Sequence, residues 1–268
     1  MPRISPVLKK NFNRNSEYLV NEFKTIVADS NIRRIIFFDA TNNETTLKDR
    51  STNKKDATLS LTAANLDSTI DGRLRVLNFN TSGDFWDFND SDDLSFGDGT
   101  ADNAFSLVVC VNMNSVSGVP MLCSKQDATT GNTKREYVFY WSANGLQFDI
   151  NDDSASAFKS RRSDLIYSGD AGKYYTYMST YNGNSDSTGI KIYRNGTRVD
   201  TVTVTPVGTY TAMENKGANV GNYYITSAGA KAGISSAKYA FVAIVAEELT
   251  QSKVTSIDKL LRQYIGVI

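Results

Sequence analysis

The chain has 268 residues, of which 40% are hydrophobic and 11% aromatic, and its 29 basic side chains are matched by 29 acidic ones with no histidine. That length holds one large β domain or two small ones, and the zero formal charge excludes a global field that would draw the protein to nucleic acid or to an anionic membrane. Without histidine there is no Ser-His-Asp or Cys-His machinery, no His-ligated zinc and no imidazole general base.

The first 31 residues differ from the rest. The start, MPRISPVLKKNFNRN, is irregular and basic with no apolar run behind its charges, so no Sec-type signal is expected. No later segment offers the roughly 18 consecutive apolar residues of a membrane span. Ser16 then sits where a helix cap belongs, ahead of Leu19, Val20, Phe23, Ile26 and Val27 at helical spacing. A helix this short is marginal alone, so its apolar stripe needs a surface, either its own domain or a neighbouring chain. Residues 1–31 are expected to form an arm in which Lys9, Lys10, Phe12, Arg14, Leu19 and Phe23 contact a partner, with residues 32–268 forming the domain proper.

From Ile32 onward the pattern is that of strands. IIFFDA, RLRVLNF, FSLVVCVNM, EYVFYWS, GLQFDIN, YYTYMSTY, IKIYRNG, TRVDTVTV and KYAFVAIVA are short, rich in β-branched and aromatic residues, and separated by Gly, Asn, Asp and Ser clusters. Asn144-Gly145 and Asn195-Gly196 each predict a hairpin whose two central residues have φ > 0. Cys110 and Cys123 flank a further predicted hairpin, VVCVNMNSVSGVPMLCS, which would set them opposite each other; free buried thiols are expected, with a disulfide geometrically conceivable. The final segment reads as a helix, with Thr250 as N-cap, Val254, Ile257, Leu261 and Tyr264 on one face, Leu260 beside them, and Gly266 closing the run. No long helix interrupts the strands, so the fold expected is all-β, a two-sheet antiparallel jelly-roll sandwich.

Several weak motifs in the right order then carry a resemblance. Asp49, Ser51, Asn53 and Leu59 are similar to the D-x-S-G-N-x-x-x-x-x-L segment near the start of concanavalin A-like, laminin-G-like jelly-roll domains. Phe79, Asp84, Trp86, Asp90, Asp93, Leu94 and Phe96 resemble that family's following passage, and Tyr181, Asn182, Gly183, Tyr193, Asn195 and Gly196 its later Y-D-G and N-G stretches. The resemblance spans about residues 32 to 268. It implies that KDRSTNKKDATLSL is a turn after the first strand, with Asp49, Ser51 and Asn53 bonded to nearby backbone amides. Some relatives bind calcium there together with an acidic pair ahead of the last strand; here that place reads Ala240-Phe241, so no metal or other cofactor is expected.

The carboxylates give no catalytic pair. A retaining glycosidase needs two acids about 5 Å apart; Glu136 and Glu214 are scattered, and the adjacent Glu247 and Glu248 would point to opposite faces of a strand. The acidic run GDFWDFNDSDDLSFGDG reads as a solvated loop with aspartate turn caps, against the alternative of a metal or polar-ligand loop. Tyr175 and Tyr224, from the runs Tyr174-Tyr175-Tyr177 and Tyr223-Tyr224, are the candidate sugar-stacking aromatics. The leading expectation is a non-enzymatic structural protein of a tailed-bacteriophage virion, assembled in the host cytoplasm and joined to other virion proteins through the arm. The alternative is a carbohydrate-binding module that takes a glycan, and a glycoside hydrolase is a remote third reading.

Overall fold

Short aromatic and β-branched runs punctuated by turn residues leave the chain little option but strands. The computed structural model describes residues 16–38, 45–61, 70–71, 74–79, 83–116, 118–129, 133–233 and 236–266. Helix α1 (Ser16–Ile26) leads into β1 (Ile32–Phe37), followed by β2 (Thr46–Leu47), β3 (Ala57–Ser60), β4 (Ile70–Asp71), β5 (Leu74–Arg75), β6 (Leu77–Phe79) and β7 (Phe85–Phe88). The long strands come next: β8 (Phe105–Met113), β9 (Met121–Asp127), β10 (Lys134–Ser142), β11 (Gly145–Asp152), β12 (Ala157–Ser163), β13 (Tyr174–Tyr181) and β14 (Ile190–Arg194). Then β15 (Thr197–Arg198), β16 (Asp200–Thr203), β17 (Val220–Gly221), β18 (Tyr224–Ile225) and β19 (Lys231–Ala232) precede β20 (Ala237–Val245) and helix α2 (Gln251–Ile265).

Two sheets face each other. The smaller runs β1-β20-β8-β13-β14-β15, with β6 also on β20, and the larger runs β16-β12-β11-β10-β9-β17-β7-β3-β2. Pairing along both orders is antiparallel, and the expected two-sheet sandwich is what the chain forms. Trp86, Tyr137, Trp141 and Phe148 of the larger sheet meet Phe105, Leu107, Val109, Tyr177 and Tyr239 of the smaller one to make the core.

The smaller sheet is covered on its other face as well. Val108, Cys110, Phe241, Ala243 and Val245 alternate with the core residues and pack against Leu19, Val20 and Phe23 of α1 and Val254, Ile257 and Leu261 of α2. Phe23 meets Phe241 with ring centroids 5.5 Å apart. Burial on two faces explains why β8 reads as one continuous apolar run rather than an alternation. It also corrects the arm: Leu19 and Phe23 are buried within the chain's own helix layer, so neither presents a surface to a partner. Lys9, Lys10, Phe12 and Arg14 lie outside the described residues. At the other end, α2 has the caps expected, with the Thr250 side chain accepting from the Lys253 amide and Gly266 at φ 76°.

Three local expectations change. The Asn195-Gly196 turn has both residues at positive φ, 48° and 73°, but in the other hairpin Ser142 pairs with Gly145, so the two turn residues are Ala143 and Asn144 and only Gly145, at 142°, has positive φ. The segment between the cysteines is a crossing from one sheet to the other rather than a hairpin: β8 pairs with β13 and β20, β9 with β10 and β17. Cys110 therefore faces the helices, Cys123 faces the inter-sheet core, and both are free, buried thiols. Finally, Ala240-Phe241 lies inside β20 rather than ahead of it.

Candidate functional site

Among the described residues no helix covers the outer face of the larger sheet, and alternation decides what is displayed there. Strands β10 and β11 send Tyr137, Phe139, Trp141, Leu146, Phe148 and Ile150 into the core. The residues between them point outward, where Val138 pairs with Asp149 and Tyr140 with Gln147, and the next position on β11, Asn151, pairs with Phe158 of β12. The result is a groove of about 330 Å³, within the range of small-molecule sites. Its polar lining comes from Gln126, Arg135, Tyr140, Gln147, Asp149 and Asn151. Apolar walls come from Met121, Val138, Phe158 and Tyr224, with Val119 on the rim, where it is 46% exposed.

Asp149 is at the centre of this network. One carboxylate oxygen accepts from the Tyr140 hydroxyl at 3.0 Å and the other from Gln147 Nε2 at 2.8 Å. Burial raises the Asp149 carboxyl above its ordinary value, against the pull of those hydrogen bonds. Arg135 sits at one end with its Nε 3.4 Å from Asp153 Oδ1. Asp149 is the single carboxylate among the described residues that line the groove, so the paired acids of glycoside hydrolysis are not assembled there.

Of the two aromatic candidates, the structure brings one to the groove. Tyr224, on β18, forms part of the wall. Tyr175 stands on β13 in the other sheet, stacked on Tyr177 at 6.0 Å and capped by the Arg194 guanidinium 4.2 Å from its centroid, so its ring is already used inside the chain. Arg194 in turn bonds Asp170 through Nε at 2.7 Å. Sequence reading missed Gln147, Asp149 and Asn151, although three planar polar side chains at every second position of GLQFDIND are a legible signal.

A larger cleft, about 720 Å³, lies between the loop at Lys55 and the acidic run. Its charges are spent internally. Arg34, fully buried, makes a fork to Asp93 at 2.8 and 3.0 Å, Lys55 adds to Asp93 at 3.2 Å, and Lys125 holds Asp90 at 3.1 Å. Burial works against the charged form of Asp93, but the Arg34, Ser91 and Lys55 hydrogen bonds outweigh it and hold the carboxyl well below the usual range. The aspartates of this run divide: Asp84 and Asp87 are buried, whereas Asp90, Asp92 and Asp98 are exposed, and Asp98 caps a turn at Thr100 and Ala101. Asp49 accepts from the amides of Ile35, Ser51 and Lys55 at 2.9 to 3.0 Å, as the resemblance implied. Among the described residues, no group of three or more Asp, Glu, Cys or His side chains is placed to hold a metal ion.

No family model matches the chain, and no curated protein matches it. Solved structures do. The binding domain of Paraclostridial mosquitocidal protein 1 superposes with a TM-score of 0.59 at 11% identity, over 86% of this chain and 52% of that one. The botulinum neurotoxin serotype D binding domain gives 0.55 at 13% identity over the same shares. Trypanosoma rangeli sialidase in complex with sialic acid gives 0.55 at 15%, covering 96% of this chain and 38% of that one. What they share with this chain is the fold. The chain spans about half the length of the toxin domains it matches.

Proposed function

We propose that the protein is a lectin-like, non-catalytic binding domain whose outer groove on the larger sheet takes a saccharide. The observation that carries the proposal is the convergence of Gln126, Gln147, Asp149 and Asn151 with the rings of Tyr224 and Phe158 in one groove. Planar amides and a carboxylate satisfy sugar hydroxyls in pairs, while an aromatic face takes the apolar face of a pyranose. The fold neighbours lend support, since they include a receptor-binding domain of botulinum neurotoxin D and a sialidase bound to sialic acid. One ground of the virion-attachment reading was an apolar helix stripe in search of a partner, and that stripe is occupied by the chain's own sheet. Binding is therefore the preferred reading.

The test is a printed panel of neutral, uronic-acid and sialylated oligosaccharides probed with wild type, Asp149→Ala and Tyr224→Ala. Wild type is expected to bind a subset, and each variant to lose about tenfold or more, the equivalent of one or two lost polar or stacking contacts. Silence of the wild type, or binding that survives both substitutions, would overturn the assignment.

A further inference from the structure

Tyr224 is carried by a hairpin that stands apart from the long strands of the sandwich. Strand β18 pairs with β19 through Tyr224↔Ala232 and Ile225↔Lys231, and joins the sheet by one parallel bridge, Ile225↔Asp127. A two-stranded hairpin is marginal by itself, so a ring displayed on one needs a tether if it is to be a fixed wall.

Two features of β19 and the residue after it supply that tether. The Lys231 ammonium lies 3.0 Å from the centroid of Phe85 and 4.0 Å from that of Tyr223, and 3.1 Å from Asp87 Oδ2. Tyr223 donates to the same oxygen at 2.5 Å, and its ring meets Phe85 edge to face at 5.4 Å. The cage is thus built by β7 and the residue before β18, and its occupant comes from β19. The second feature is Gly233, at φ 74°, where a Cβ would lie 2.6 Å from Met121 Cγ and 3.0 and 3.1 Å from Cδ1 and Cε1 of Tyr224. The backbone therefore rests against the ring of Tyr224, and the Met121 amide donates to the Gly233 carbonyl at 2.8 Å to hold it there.

We infer that β19 is a clamp for the groove, in which caged Lys231 and flush-packed Gly233 are positioning residues that hold Tyr224 as a pre-set stacking wall. The inference rests on reading the groove as a saccharide site. Its physical basis is that an unclamped ring must be ordered when the sugar arrives, which takes free energy from binding, whereas a clamped ring is ordered beforehand. A cation on two aromatic faces with a carboxylate beside it holds the hairpin from a distance, without contacting the bound sugar.

The experiment compares Lys231→Met, which keeps the stem and removes the charge, with Lys231→Arg, which keeps both the cation and its fit to aromatic faces. Amide hydrogen exchange over residues 224–233 reads the clamp, and affinity for the best-binding oligosaccharide of the panel reads its effect. Lys231→Met is expected to speed exchange in the hairpin and to weaken binding, each by about tenfold. Lys231→Arg is expected to restore both to within about threefold of wild type. Gly233→Ala should weaken binding with Lys231 untouched, because the new methyl displaces the ring directly. Wild-type exchange in Lys231→Met, or a Lys231→Arg variant as defective as Lys231→Met, overturns the clamp. If wild type binds nothing on the panel, the saccharide reading fails and the exchange data still decide the clamp; if Tyr224→Ala abolishes binding while Lys231→Met changes neither readout, the clamp fails and the groove stands.

Discussion

Replacing Phe23 by alanine asks whether α1 belongs to the domain or merely precedes it. Phe23 has no exposed surface, and its ring packs on Phe241 of β20 at 5.5 Å, inside the layer shared with α2. Removing a buried phenyl ring costs about 3–5 kcal/mol, because the transfer free energy is lost and the cavity closes only in part. The ring pair with Phe241 supplies roughly 0.5–1.5 kcal/mol of that. For a chain of this size each kcal/mol corresponds to about 2–4 °C, so the melting temperature should fall by about 6–20 °C. Tyr18, on the same helix but 45% exposed, is the internal control, and Tyr18→Ala should stay within about 0.5 kcal/mol of wild type. Calorimetry and urea titration of the two variants give the comparison. A Phe23→Ala loss below about 1 kcal/mol would mean that the helix layer is not part of the cooperative unit, and the argument for α1 as an integral element would fall.

Two further outcomes follow from buried groups. Glu136 is wholly buried, pairs with Lys125 at 2.7 Å and accepts from the Lys216 amide at 2.9 Å; burial pushes its carboxyl up to about 7 against the opposing pull of Lys125. The folded chain then holds a proton that the unfolded chain releases, so stability from this group is present at low pH and declines as pH rises from the ordinary carboxylate value to about 7. Melts from pH 4.5 to 7 should therefore show a flatter slope in Glu136→Gln than in wild type, and equal slopes would refute the assignment. Burial also pushes the thiols of Cys110 and Cys123 up, and the two face different layers, so reductant should leave the melting temperature unchanged and iodoacetamide should label neither until the chain unfolds.

Most of the long strands and both helices were legible because their signals are local: period-two apolar runs, a Thr250 cap, a Gly266 stop, an Asn195-Gly196 turn. What was not legible depends on which sheet a strand joins. VVCVNMNSVSGVPMLCS has the composition of a hairpin, and only the pairing of β8 with β20 and of β9 with β10 turns it into a crossing. The helix stripe of Leu19 and Phe23 was visible, but the choice between cis and trans burial is made by Phe241 and its neighbours, more than 200 residues away. The groove shows the same division. Tyr224 was identified from its aromatic pair, whereas the cage around Lys231 joins β7 to β19 across 144 residues, a separation at which no local pattern points to a partner.

Both described helices lie on the smaller sheet, and among the described residues none covers the outer face of the larger one; that lopsidedness bears on how the protein can change. Residues such as Gln126, Arg135 and Asn151 stand on that outer face, partly exposed and outside both apolar clusters. Exchanges at such positions usually shift stability by no more than about 0.5 kcal/mol. A lineage, or a mutant library, can therefore vary these positions freely while the helix-backed sheet keeps the fold intact, so that affinity drifts under selection without being taxed by folding.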